Sequence, residues 1–126
     1  VDAQAAEAQV SRARQRLVQA PAVIILCLDP SVGDVYPDAR RQAAEHQMGV
    51  QGVAMAGQNL LLAAHALGLG GVWVCGPLFA QETVRRVLDL PPAWEPQGMV
   101  LLGYPLRVPP ARERLPLEAV TRFYSV

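Results

Sequence analysis

The sequence contains no lysine, since all eleven of its basic residues are arginines. Schiff-base chemistry and the lysine of a phosphate-binding P-loop are thereby excluded, because both need a primary amine. Eleven Asp plus Glu balance the eleven bases to a formal net charge of zero, so no basic surplus remains for a broad nucleic-acid-binding face. Cysteine is scarce as well. Cys27 and Cys75 stand far apart, which removes a CxxC motif and a four-cysteine zinc site, and buried thiols in a reducing, cytoplasmic compartment are expected. His46 and His65, with Glu45, Asp34 and Asp38, are the only conceivable metal ligands, and no pair shows HExxH or a similar one-face spacing. No metal site is expected, and no Ser or Cys nucleophile is set beside a His base. No charged leader region with a cleavage site is expected.

What is present suits one domain of 126 residues, with an apolar fraction of 52%. Residues 2–19 are Ala, Gln, Glu and Arg with sparse Val10, Leu17 and Val18, which predicts a helix with a mostly solvated surface. Ala20-Pro21 breaks it. The unbroken apolar run 22–28 predicts a central strand covered on both faces. Residues 29–38 carry two prolines, a glycine and three aspartates, a loop composition, with Asp38 placed to cap the helix that follows.

That helix should run from 39 to about 67 and be deeply buried. A membrane span over 49–74 is the rival, since about 20 apolar residues cross a bilayer. Gln51, Gln58, Asn59 and His65 interrupt it, however, and Gln51, Gln58 and His65 recur every seventh residue as one polar line. A buried helix with one wet or ligand-facing line is the better account. Gly49, Gly52 and Gly57 each cost about 0.5–1 kcal/mol against Ala in a helix interior, so the close approach of another helix or a flat ligand is expected there. Gly68 supplies the left-handed residue after the helix.

Further on, a strand is expected at 72–75, a turn at Gly76-Pro77, and a helix at 80–89 with Val84, Val87 and Leu88 inward and Arg85 and Arg86 outward. A proline-rich connection at 90–96 leads to a buried strand at 98–104, and 119–124 suits a last short strand. The irregular alternation of helix and strand favours an α+β layer arrangement over a doubly wound sheet.

The glycine cluster fails both phosphate-loop tests. Gly68 and Gly70 follow a helix rather than a strand and Trp73 takes the third glycine's place, while Gly71 and Gly76 have Walker spacing with Pro77 where lysine must stand. In the tail, Arg112 and Arg114 sit at i and i+2, so an extended chain projects both to one side. Such a pair is either a phosphate clamp or two solvated arginines neutralised by Glu113, and spacing alone favours the second.

Several segments in series carry a resemblance: Gln58-Asn59-Leu60-Leu61-Leu62-Ala63-Ala64, then Gly68-Leu69-Gly70-Gly71-Val72-Trp73, Val87-Leu88-Asp89-Leu90-Pro91, Leu102-Gly103-Tyr104-Pro105 and Arg112-Glu113-Arg114-Leu115-Pro116. In order and spacing they resemble the C-terminal part of the nitroreductase family of FMN enzymes. The Trp73 strand and Tyr36-Pro37-Asp38 are also similar to the branch found as the C-terminal domain of the coenzyme F420 biosynthetic enzyme.

The resemblance implies an α+β homodimer with a mixed, mainly antiparallel sheet flanked by helices. It further implies a long central helix at the dimer interface and a C-terminal arm crossing to the partner. FMN would sit at that interface, with Trp73, Val74, Cys75 and Gly76 beside its ring system and a backbone N–H near Cys75 or Gly76 addressing flavin N5. Arg112 and Arg114 align with the basic pair that holds the FMN phosphate, which reverses the preference for solvated arginines. NAD(P)H is the implied reductant and a small molecule such as a nitro compound or quinone the acceptor. No side-chain acid or base is named, because the cofactor carries the chemistry. The family's opening Arg-Arg-Ser-x-Arg segment is not in this sequence, so the match is expected to cover roughly the last two-thirds of a family member. The alternative expectation is a non-catalytic dimeric binding protein whose FMN site is incomplete.

Overall fold

The computed structural model of the chain describes residues 2–124. Helix α1 (Ala3–Gln19) is capped by the Asp2 carboxylate and buries none of its residues. It leads through Pro21 into strand β1 (Ala22–Leu28). A 3-10 turn at Pro30–Val32 starts the loop, whose Asp29 side chain accepts from the Ser31 N–H. Asp38 caps the long helix α2 (Ala39–Ala66) by accepting from the Arg41 N–H. The helix stops where Gly68 takes φ +77°, a conformation that costs glycine nothing. Strand β2 (Gly70–Val74), the single-turn helix α3 (Gly76–Phe79), helix α4 (Gln81–Leu88), strand β3 (Glu95–Gly103) and the short helix α5 (Leu117–Val120) complete the order.

The three strands form an antiparallel sheet in the order β1-β3-β2, so the fold class is α+β. β3, rather than β1, is central. It contains most of the buried side chains, among them Met99, Val100 and Leu101, whereas Val23 and Ile24 of β1 are exposed. The apolar run at 22–28 therefore belongs to an edge strand, which corrects the expectation of cover on both faces. β3 also starts three residues earlier than composition indicates, because a register shift between Leu26 and Cys27 lets Pro96 enter the strand. Proline lacks a ladder donor and is tolerated at such bulges.

α2 lies across one face of the sheet. A β-carbon on Gly49 would meet Leu28 of β1, and one on Gly57 would meet the Trp73 ring of β2. The close neighbour of these two glycines is thus the chain's own sheet, while nothing lies within 4 Å of a β-carbon at Gly52. Of α2 only Gly57 and Ala64 are buried, so the helix is covered along one line rather than deeply enclosed. Among the described residues no helix is long and apolar enough to cross a membrane, and the stretch 49–74 is divided between α2 and β2.

α3 and α4 pack against β3, with Pro77 buried and Gln81 Nε2 donating to the Pro96 carbonyl at 3.1 Å. Two sequence expectations fail here. Arg85 is half-buried and donates to the Trp94 carbonyl at 3.1 Å, while Val87 and Leu88 are exposed. At the tail, residues 117–120 form a helical turn and 121–124 have no strand partner, so the short strand expected at 119–124 is absent.

Candidate functional site

Both edge strands run antiparallel to β3 and end towards its N-terminal half, Leu28 beside Glu95 and Val74 beside Met99. This end of the sheet gathers the loop 29–38, the β2–α3 junction at Cys75-Gly76, and Trp94-Glu95.

The junction is held by Trp73. Its indole occupies a slot between two glycines: an added β-carbon on Gly57 would lie 2.3 Å from Cζ3, and one on Gly98 2.3 Å from Cζ2. From that position Nε1 donates to the Cys75 Sγ at 3.2 Å. Cys75 then turns the chain with φ −82° and ψ 2° and does not cap α3 with its side chain. Pro77 has no N–H to offer, and among the described residues no acceptor is hydrogen-bonded to the N–H of Cys75 or of Gly76. Both residues are exposed. The result is a short segment, held through Trp73, whose two exposed residues carry adjacent donors with no partner among the described residues, a pair able to bind an acceptor atom on the edge of a planar ligand.

On the β1 side of the sheet, a cavity of about 290 Å³ is lined in part by Leu28, Asp29, Gln42, Glu45, His46 and Gly49. Its walls are cross-linked. Glu45 accepts from the Asp34 N–H at 3.2 Å, and His46 Nε2 meets Glu95 Oε2 at 2.7 Å, tying α2 to the start of β3. Asp29 accepts from the Ser31 hydroxyl at 2.6 Å, from the Ser31 N–H at 3.0 Å and from Trp94 Nε1 at 3.2 Å. The Ser31 bonds hold the Asp29 carboxyl below its usual range, and Arg41 does the same for Asp38. Burial pushes the Cys27 thiol up. Sequence reasoning missed the His46–Glu95 and Trp94–Asp29 links because their partners are remote in the chain. Among the described residues no group of three or more His, Cys, Asp or Glu is placed to hold a metal ion.

Arg112 and Arg114 are not part of this constellation within the chain. They lie in the exposed stretch after β3, which leaves the sheet at the end opposite Cys75, and no hydrogen bond joins them to residues 73–76. A second feature absent from the sequence reading is an apolar line on α2. Met48, Met55 and Leu62, spaced by seven, are exposed and alternate with the polar line Gln51, Gln58 and His65.

Comparison with known proteins agrees with this architecture. The sequence profile of the nitroreductase family matches residues 1–104. The chain belongs to the nitroreductase family. This nitroreductase-family chain is 38% identical over 109 residues to an oxygen-insensitive NADPH nitroreductase of Salmonella typhimurium, covering 85% of the chain and 45% of that enzyme. A nitroreductase of Desulfovibrio desulfuricans, solved in complex with FMN, superimposes with a TM-score of 0.63 at 28% identity, over 81% of this chain and 54% of that one. NfrA2 of B. megaterium superimposes with a TM-score of 0.69 at 25% identity, over 86% and 47% respectively. The chain thus spans about half the length of the relatives it matches, rather than two-thirds.

Proposed function

We propose that this chain serves an FMN-dependent oxidoreductase that passes hydride from NAD(P)H by way of flavin N5 to a small electron acceptor such as a nitro compound or quinone. The observation that carries the reading is the pair of unpartnered N–H groups at Cys75 and Gly76, fixed at the end of β2. Oxidised flavin N5 is a hydrogen-bond acceptor on the edge of a flat ring, so this donor set fits it. Trp73, Val74, Cys75 and Gly76 would flank the ring, and the permanently charged Arg112 and Arg114 would hold the phosphate. FMN, when bound, supplies the hydride-relay chemistry. The protein's part is to orient the ring, present the two donors and keep the Trp73 slot filled.

The reading includes a homodimer. The accessible surface is 10566 Å², whereas a compact monomer of this mass exposes roughly 6,600 Å². The excess is about 4,000 Å² on one protomer, whereas an obligate interface buries about 1,000–2,500 Å² of each partner, so a dimer interface would cover part of it. Exposed apolar residues include the Met48, Met55 and Leu62 line and the tail, where Tyr104, Leu106, Val108, Phe123 and Tyr124 are each more than 80% exposed. A tail reaching the partner would carry Arg112 and Arg114 to the partner's ring-facing segment, which reconciles their distance from it within one chain. Gly52→Leu, which adds bulk beside that line, should shift the sedimentation coefficient from dimer towards monomer. A wild type that sediments as a monomer refutes this architecture. A cytoplasmic location is part of the same proposal.

The decisive test is spectroscopic. The purified chain should carry or take up FMN, and NAD(P)H should bleach the flavin absorbance without oxygen. A colourless protein that ignores added FMN overturns the reading in favour of a non-catalytic dimeric binding protein of the same fold.

A further inference from the structure

We propose that Trp73 is a positioning residue for the ring-facing peptide and that it acts through the Cys75 side chain. This inference rests on the flavin reading above and deepens it. Three observations meet at one point. The Trp73 ring cannot slide, because backbone lies against two of its edges: Gly57 of α2 on one, Gly98 of β3 on the other. Its N–H is therefore a fixed donor, and it is spent on the Cys75 sulfur at 3.2 Å. The sulfur is thus engaged by Trp73 of β2 and makes no side-chain cap on α3.

The consequence falls on the next peptide. With the sulfur held, Cys75 keeps its turn conformation, ψ 2°, which lies in a sparsely populated backbone region. The Gly76 N–H then stays without a partner in the chain. The positioning chain thus runs by contact from two glycines, through one indole, to one sulfur, and from there along the backbone to one amide. It also gives Gly57 a purpose beyond helix packing.

The test compares FMN dissociation constants for the wild type, Cys75→Ser, Cys75→Ala, Trp73→Phe and the Trp73→Phe/Cys75→Ala double variant. Cys75→Ser should retain affinity, since its hydroxyl oxygen accepts the same indole N–H. Cys75→Ala and Trp73→Phe should each weaken binding about fivefold, the equivalent of one neutral hydrogen bond. The double variant should be no weaker than either single one, because both break one link. In the flavin-free protein, Cys75→Ala should brighten indole emission by removing a quenching thiol from the Trp73 ring, while Trp94 keeps its Asp29 partner.

Unchanged emission would show that the Trp73–Cys75 contact does not exist in solution and would overturn the proposal. So would wild-type FMN affinity in Cys75→Ala, or additive losses in the double variant. A wild type that takes up no FMN sinks the flavin reading itself, and the positioning role with it. Uptake by the wild type together with an indifferent Cys75→Ala sinks the positioning role alone.

Discussion

Gly49 and Gly57 offer the same substitution on the same face of the same helix, with opposite expected outcomes. Replacing either by Ala improves helix propensity by about 0.5–1 kcal/mol. At Gly49 the new β-carbon lies 2.8 Å from Leu28 Cδ1, the end of a flexible side chain on a half-covered strand, which can rotate aside. Most of the propensity gain should survive. At Gly57 the new carbon lies 2.3 Å from Trp73 Cζ3 and 2.8 Å from Cε3, and the ring's retreat is closed by Gly98. Overpacking against a rigid group costs about 1–3 kcal/mol, so a net loss of about 1–2 kcal/mol remains. The two variants should differ by about 2 kcal/mol, or about 8 °C in Tm for a domain of this size. Thermal unfolding followed by far-UV circular dichroism measures this, with urea titration at constant slope as the check that the denatured state is unchanged. Trimming the ring in a Gly57→Ala/Trp73→Leu double variant should recover part of the loss, giving a coupling of about 1 kcal/mol or more. Equal stability of Gly49→Ala and Gly57→Ala would refute the slot.

Three other outcomes follow from the described geometry. Asp29 and Asp38 have folded-state carboxyls held below their usual range, so their support is present above the unfolded pKa of about 3.9 and is lost as pH falls through the lower folded values. Asp38→Asn should therefore flatten the acid limb of a stability-versus-pH curve, and an unaltered limb would contradict the assignment. Iodoacetamide at neutral pH should label exposed Cys75 well before Cys27, whose thiol is half-buried and raised by burial, as peptide mass mapping would reveal. Replacing both Arg112 and Arg114 by Ala should weaken FMN binding by about 1.5–3 kcal/mol per lost charged hydrogen bond, and a double variant with unchanged affinity would remove the phosphate role.

Local chemistry was legible in the sequence wherever it acts locally. The Asp38 cap, the Gly68 stop and the extent of β1 follow from residues within a few positions of each other. Strand order does not, since it depends on which strand finds two partners, and an apolar run reads the same at an edge as at the centre. The beginning of β3 was hidden because Pro96 signals a loop, while the bulge that admits it, Gln97 left between the pairs Leu26–Gly98 and Cys27–Pro96, shows only once the strands are paired. α4 is too short for its periodicity to fix its rotation, so docking of Arg85 on the Trp94 carbonyl decided it. The tail has strand-forming residues at 121–124 but no edge beside them, and Leu117–Val120 winds into a turn after Pro116 instead. For the candidate site, the Cys75-Gly76 segment was legible through family resemblance, but the glycine slot that fixes it required knowing that residues 57, 73 and 98 meet.

The strand order β1-β3-β2 has a practical consequence for handling the protein. Two of the three strands are terminal ribbons, each with a row of backbone donors and acceptors facing away from β3. Such ribbons template the addition of further chains unless charge, proline or a cover blunts them. β1 has none of these: its seven residues, Ala-Val-Ile-Ile-Leu-Cys-Leu, include no charge and no proline. Concentrated solutions should therefore thicken into cross-strand assemblies along this ribbon. A charged residue at exposed Val23 should delay that process while leaving the central strand intact.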